Sequence, residues 1–382
     1  MRVLLDYDWG RNWRAVGAQV LVVVLLVAGV SWLVSNAVVN LQRQNIASGF
    51  SFLGRTAGFD ISQALIDFKN TDTYARAFWV GLLNTLLVAG VAAVLSTVLG
   101  FALGVARLSN NWIVARLALV YVEIVRNVPL LLWLLMVYFG IMLRLPPPGE
   151  SISLLGALLN QRGLYLPAVS DGGTLLAAVG LLALGGWGGR RSGRVAGQPS
   201  GTWSFVDVVW VALLLVPGGA ALSIVFGQPV SWPAMGRFNV EGGVAILPEL
   251  LALVIGLVTY TGAYIGEIVR AGIQSVGQGQ RQAAAALGLN DADTLRLVVI
   301  PQGLRAIIPP LTNQYVNVAK NSSLAVAIGY PDLVSVFAGT ILNHTNQAVE
   351  TIAITMAVYL FLSLAISGVM GVFNARVALV ER

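Results

Sequence analysis

Residues 78–106 read FWVGLLNTLLVAGVAAVLSTVLGFALGVA and carry no charged side chain. Wound as a helix at ~1.5 Å per residue, the run is about 43 Å long, more than the ~30 Å hydrocarbon core of a bilayer. Lipid accommodates so much apolar surface in one straight element, so the run reads as a tilted membrane span. Composition agrees. Of 382 residues, 57% are hydrophobic and only 10% charged, against roughly a quarter charged in soluble domains. Ten Trp and ten Tyr suit the two interfacial belts. There is no Cys, hence no disulfide framework and no thiol chemistry. The single histidine, His344, leaves few ligands for a metal centre, and none is expected. The net charge of +6 fits loops facing anionic lipid better than a nucleic-acid surface.

Other apolar runs divide the chain. Residues 16–34 follow Arg2, Arg11 and Arg14; the run exceeds a signal-peptide core and no A-x-A site follows it, so it reads as an uncleaved span with its N-terminus inside. Residues 35–77 are polar and expected outside, with an interfacial helix near 61–68. Residues 117–143 return outward, and Pro129 is expected to kink them. Residues 145–171 form a loop around Pro146-Pro147-Pro148-Gly149. Spans are expected at 172–189 and 205–226, around a turn holding Arg190, Arg191 and Arg194. Residues 227–245 form an external loop, 246–269 come in, 307–330 go out, 331–350 are external and 351–373 come in. That predicts an all-α membrane protein of about eight spans with both termini cytoplasmic. It falls into an extra N-terminal part (1–77), a first core block (78–143), an insert (144–245) and a second core block (246–382). Fourteen of the 23 Lys and Arg fall in segments placed inside and seven in segments placed outside, the sign the positive-inside rule requires.

Between the last two inward and outward runs lies GQGQRQAAAALGLNDADTLRLVVIP, residues 277–301. Four alanines, Ala283 to Ala286, favour a short helix. Gly288 is expected to stop it by taking the left-handed conformation. Asn290 can cap a second helix with Asp293 in support, and Pro301 is expected to end that one. Taken by itself this is a helix–turn–helix that an ordinary cytoplasmic loop could also contain.

Charges inside apolar runs are costly unless paired or hydrated. The tetrapeptide E-I-V-R occurs twice, at Glu123–Arg126 and Glu267–Arg270. Residues three apart share a helix face, so each pair can neutralise itself or its counterpart, or the two can narrow the inner mouth of a pathway. Glu123 lies about 10 Å along its run by helical rise. Lys320 is about 20 Å along its own, among Asn317, Asn321, Ser322 and Ser323. So much polarity argues for a wet or ligand-lined face that suits a carboxylate, or for pairing of Lys320 with Glu123, Glu267 or Asp207. Asn84 and Thr85 add a polar notch that can equally serve helix–helix hydrogen bonds. Asp207 and Glu249 are expected to be solvated near the interfaces.

The 277–301 segment resembles the EAA loop of ABC importer permeases. The family pattern is matched in spacing by Gln282-Ala283-Ala284, Gly288, Val298, Ile300 and Pro301, with Gln282 where Glu is usual. Gly81 to Leu86 (GLLNTL), Glu123 to Leu131 (EIVRNVPLL), Tyr264 to Gln280, Ile308-Pro309-Pro310 and Lys320 to Leu324 (KNSSL) resemble the family's core helices. Together they specify the polar amino acid branch, over about half the chain. The extra N-terminal helix and the 144–245 insert resemble the long permeases of the general L-amino acid and glutamate/glutamine/aspartate/asparagine systems. The resemblance implies a type I importer transmembrane domain, with a coupling loop at 274–301 carried by Gln282, Ala283, Ala284, Gly288 and Pro301. Lys320, Asn317, Asn321, Ser322, Ser323 and Asn84 are its pathway candidates; Glu123, Arg126, Glu267 and Arg270 are candidates for an inner gate or for structural ion pairs. It implies a dimeric permease, with a second homologous subunit, an ABC ATPase dimer and a periplasmic or extracellular binding protein as partners, in the bacterial inner membrane. The chain has no G-x-x-x-x-G-K-[ST] motif, so ATP and Mg belong to the partner and no cofactor is expected here. An ion-coupled secondary transporter, with Lys320 and Glu123 at its ion site, and a non-transporting scaffold are the other readings. Against the first stands the lack of an inverted repeat with matched broken helices.

Overall fold

A computed structural model describes residues 13–43, 49–154, 156–169, 230–237 and 239–377. Its elements are mainly helices: α1 (Trp13–Arg43), α2 (Tyr74–Ala106), α3 (Trp112–Asn127), α4 (Leu130–Leu135), α5 (Pro248–Gln274), α6 (Gln278–Ala286), α7 (Asp291–Thr294), α8 (Ile300–Asn321), α9 (Leu342–Thr345) and α10 (Ala348–Val377). The expected spans at 172–189 and 205–226, and Asp207, lie outside the described residues. Among those described, Val16–Leu33 of α1, then α2, α5 and Ala348–Ala375 of α10 are long and apolar enough to cross a bilayer.

The molecule is built on α2 and α5. Gly100 and Gly104 of α2 meet Gly262 and Gly266 of α5, a G-x-x-x-G spacing on both sides. A methyl carbon placed on Gly104 would lie 2.6 Å from Val269 Cβ and 2.9 Å from the Gly266 carbonyl. Neither helix tolerates a side chain there, so the backbones approach closely, as small residues allow in lipid. Gly100 meets Ile265 and Gly104 meets Val269, so the two helices run parallel. The other side of α5 takes α8 in the opposite sense: Gly272 lies against Gly303 and Ile307, and Ile265, Val269, Ile307 and Leu311 form one buried cluster.

Several expectations are corrected here. Residues 117–143 are not one kinked helix. Val128 is extended and Pro129 supplies no N–H, so the chain breaks and Trp112–Asn127 and Leu130–Arg144 are bent by 109°. No helix forms at 61–68; instead Arg76 Nε donates to the Asp67 carbonyl (2.8 Å) and Phe59 packs on Phe68 and edge-on to His344. Pro301 does not end a helix. It sits where the π-helical Leu295–Val299 runs into α8, and the helix continues past it. Pro309 and Pro310 lie inside α8. Residues 331–350, expected to be external, are largely helical: a π-helical segment (Val334–Ile341) and α9 fill most of them, and Phe337 and Ile341 are buried.

Small sheets decorate one end. β1 (Ile152–Leu154), β2 (Ala157–Asn160), β3 (Gly163–Leu166) and β8 (Val244–Ile246) form an antiparallel sheet in the order β1-β2-β3-β8. β4 (Ala168–Val169) pairs with β5 (Val230–Ser231), and β6 (Ala234–Met235) with β7 (Val240–Glu241). β8 leads into the N-terminus of α5, so this sheet and the α6 elbow lie at opposite ends of α5.

Candidate functional site

The α6 elbow is stereochemically defined. Gly288 has φ +79°, a conformation that side chains rarely adopt. It lets the Leu289 N–H reach the Ala284 carbonyl (3.1 Å) and the Gly288 N–H reach the Ala285 carbonyl (2.9 Å), the paired bonds of a Schellman stop. Asn290 Oδ1 accepts from the Asp293 N–H (2.8 Å), while Asn290 Nδ2 donates to Asp293 Oδ2 (2.7 Å), so the cap engages from both sides. Arg281 donates to the Ile273 carbonyl (3.3 Å) and ties α6 back to α5. Ala284 is buried, whereas Gln282 and Ala283 are exposed. Leu287, which the sequence reasoning did not single out, is 82% exposed. Past α7 the chain continues through a π-helical segment, Leu295–Val299, directly into α8. From α7 onward, helical backbone therefore runs unbroken to the element that carries Lys320.

Lys320 stands one residue before the end of α8, where the helix tightens into a 3-10 segment, Ser322–Ile328. Asn313, Asn317 and Lys320 are exposed and spaced by four and three, so they share one helix face. Lys320 has no ion-pair partner among the described residues, so pairing with Glu123 or Glu267 does not occur within the chain. Asn321 is half-buried beside this face. Ser322 is fully buried and bonds the Ala319 carbonyl, and Ser323 bonds the Lys320 carbonyl (2.7 Å). Asn84 is not brought to the face at all. It is buried in α2, and its Nδ2 donates to the Gln63 (2.8 Å) and Pro331 (2.9 Å) carbonyls. Thr85 Oγ1 accepts from the Leu333 N–H (3.0 Å). Together they moor residues 331–333 to α2.

The two E-I-V-R copies have different surroundings. Glu267 pairs with Arg270 and with Arg107 from the end of α2. Sequence reasoning missed Arg107, because its partner lies 160 residues away. Glu123 is exposed and does not pair with Arg126; the Arg126 guanidinium instead lies 5.2 Å from the centre of the Tyr264 ring, a cation–π distance. Glu249 accepts from the Tyr138 hydroxyl (2.9 Å) rather than being merely solvated.

These features define a class: a multi-pass helical membrane protein with an exposed helical elbow at one end of α5 and a polar, exposed face on α8. Residues 96–379 match the family described as "Binding-protein-dependent transport system inner membrane component". The chain belongs to that family. It is 49% identical to the putative amino-acid ABC transporter permease protein YhdX of Escherichia coli (strain K12), over 95% of this chain and 94% of that one. To the general L-amino acid transport system permease protein AapQ of Rhizobium johnstonii it is 46% identical, over 97% and 94% of the two chains. To the glutamate/glutamine/aspartate/asparagine transport system permease protein BztB of Rhodobacter capsulatus it is 38% identical, over 99% and 96%.

Proposed function

We propose that this inner-membrane component is the permease subunit of an ATP-driven importer of polar amino acids. The observation that carries the mechanism is the α6 elbow: a hydrogen-bonded helix end that presents Leu287 bare to whatever docks there. In this reading the α6 end is cytoplasmic and a separate ABC ATPase dimer receives the elbow. A homologous second permease chain completes the pathway, and a soluble amino acid-binding protein delivers substrate at the sheet-bearing end. Closure of the ATPases on ATP pushes α6. The continuous backbone from α7 through Leu295–Val299 passes the movement to α8, and access alternates as helices rock against one another. The Asn313, Asn317 and Lys320 face lines the pathway. There the ammonium meets the substrate carboxylate, which every amino acid has, so it orients without choosing the side chain.

The 144–245 insert fits the same orientation. Because β4 pairs with β5, the chain that leaves at Val169 returns beside it at Val230.

The decisive experiment reconstitutes the permease with its ATPase and binding protein and measures substrate-stimulated ATP hydrolysis. Leu287→Asp is expected to reduce the stimulation at least about tenfold, since burying an unpaired carboxylate in an interface costs several kcal/mol. Insertion and basal hydrolysis by the ATPase are expected to be unchanged. Full stimulation in this variant would remove the elbow from the mechanism.

A further inference from the structure

At the α6 end, the termini of α2, α3 and α5 leave an open cavity of about 290 Å³ lined by Arg107, Trp112, Arg116, Leu119, Arg270 and Gln274. Its charge is unbalanced. Arg107 and Arg270 share one carboxylate, that of Glu267, and Arg116 has no ion-pair partner among the described residues. Three guanidinium groups thus face a single carboxylate. Guanidinium does not shed its proton in proteins, so among the described residues this excess positive charge has no matching carboxylate. Arg107, only 9% exposed, and Arg270, which also donates to Gln274, are held in place. Arg116 is exposed and lines the same cavity. Planar forks at fixed positions suit the oxygens of a phosphate.

The mouth indicates what carries that phosphate. Trp112, the first residue of α3, is 74% exposed, as suits an indole at the boundary of polar and apolar layers. From it Ile113, Leu117, Val120 and Ile124, all exposed, run up α3 at helical spacing and form an apolar stripe. A phosphate seated in the cavity would bring attached acyl chains alongside this stripe. The geometry points to a binding site for the phosphodiester headgroup of an anionic phospholipid in the inner leaflet, clamped between Arg116 and the Arg107–Arg270 pair. The site bridges α2, α3 and α5 where they reach the elbow, so its occupant would brace the base of the coupling machinery. Basic pockets between helices on the cytoplasmic side are where such headgroups bind in general. The inference rests on the orientation given above, with the α6 end cytoplasmic.

The test uses the purified full-length chain in detergent, titrated with phosphatidylglycerol, phosphatidylcholine or inorganic phosphate and read by native mass spectrometry. Phosphatidylglycerol is expected to be retained about tenfold better than phosphatidylcholine, and Arg116→Gln to cut that preference about fivefold. Arg116→Lys, which keeps the charge, is expected to restore most of it. Equal retention of the two lipids, or an undiminished preference in the double variant Trp112→Ala/Arg116→Gln, overturns the site. Inorganic phosphate that competes as strongly as the lipid would assign the cavity to a free anion and overturn it as well. Orientation is read separately. The chain has no Cys, so Trp112→Cys can be labelled with a membrane-impermeant maleimide. Labelling from outside would undo the orientation in the proposed function; labelling from the cytoplasm without lipid preference would sink the lipid site alone.

Discussion

Asn84 shows how one side chain joins distant parts of this chain. Its amide nitrogen serves two backbone carbonyls, one 21 and the other 247 residues away. Truncation leaves buried acceptors unmet, so Asn84→Ala is expected to cost about 1–3 kcal/mol, visible as a lower unfolding midpoint of the purified protein. Lys320 makes the opposite case: a cation on an exposed helix face with no ion-pair partner among the described residues. If it receives the substrate carboxylate, Lys320→Gln should lower uptake in proteoliposomes by about 10- to 100-fold, the worth of a charge-assisted hydrogen bond. Uptake equal to that of the unaltered protein would return Lys320 to a structural role. A buried amide and an exposed ammonium look alike in sequence, since both are polar letters in an apolar run.

Between elements, the α2–α5 contact decides most. Gly104 lies against the backbone and a β-branched side chain of α5, and nothing soft can give way. Gly104→Val is expected to destabilise by roughly 1–3 kcal/mol or more through overpacking. Gly90, on the same helix, has nothing within 4 Å of an added methyl carbon. Gly90→Ala is expected to be neutral or to stabilise by about 0.5–1 kcal/mol. Thermal unfolding of the two variants separates close packing from propensity; similar midpoints would mean the helices are not held by this seam. The break between α3 and α4 also belongs to this scale. Pro129 is local, but the 109° turn needs the buried clusters that Leu130 and Leu134 join against α5.

For the whole molecule, the parallel α2 and α5 set the polarity. Their N-termini carry the small sheets and the 49–73 segment, which Gly49 anchors to Glu350 Oε1; at the far end of α5 lies the elbow. The absence of Cys makes the orientation directly measurable. Leu154→Cys on the exposed edge strand β1 is expected to react with an impermeant thiol reagent from outside, and Leu287→Cys only after the cytoplasmic face is opened. The reverse pattern would invert the molecule and every role assigned to its ends.

The amino-acid sequence by itself determined that this is a membrane protein, where the uncharged run 78–106 lies, and how α6 stops and the next helix begins. Those features are local: an uncharged run, an alanine tract, Gly288 at the one positive φ the turn needs, and Asn290 three residues before Asp293 act over a few residues. The G-x-x-x-G spacings at Gly100–Gly104 and Gly262–Gly266 drew no notice in the sequence and took on meaning only from the contact between α2 and α5. Only the tertiary structure decided that these two seams meet in parallel, that Arg107 rather than Glu123 joins the Glu267–Arg270 pair, that residues 331–350 are helical, and that three arginines share a cavity. Each depends on contacts between residues far apart in the chain, which form because packing and charge pairing select among arrangements that local preference leaves equal.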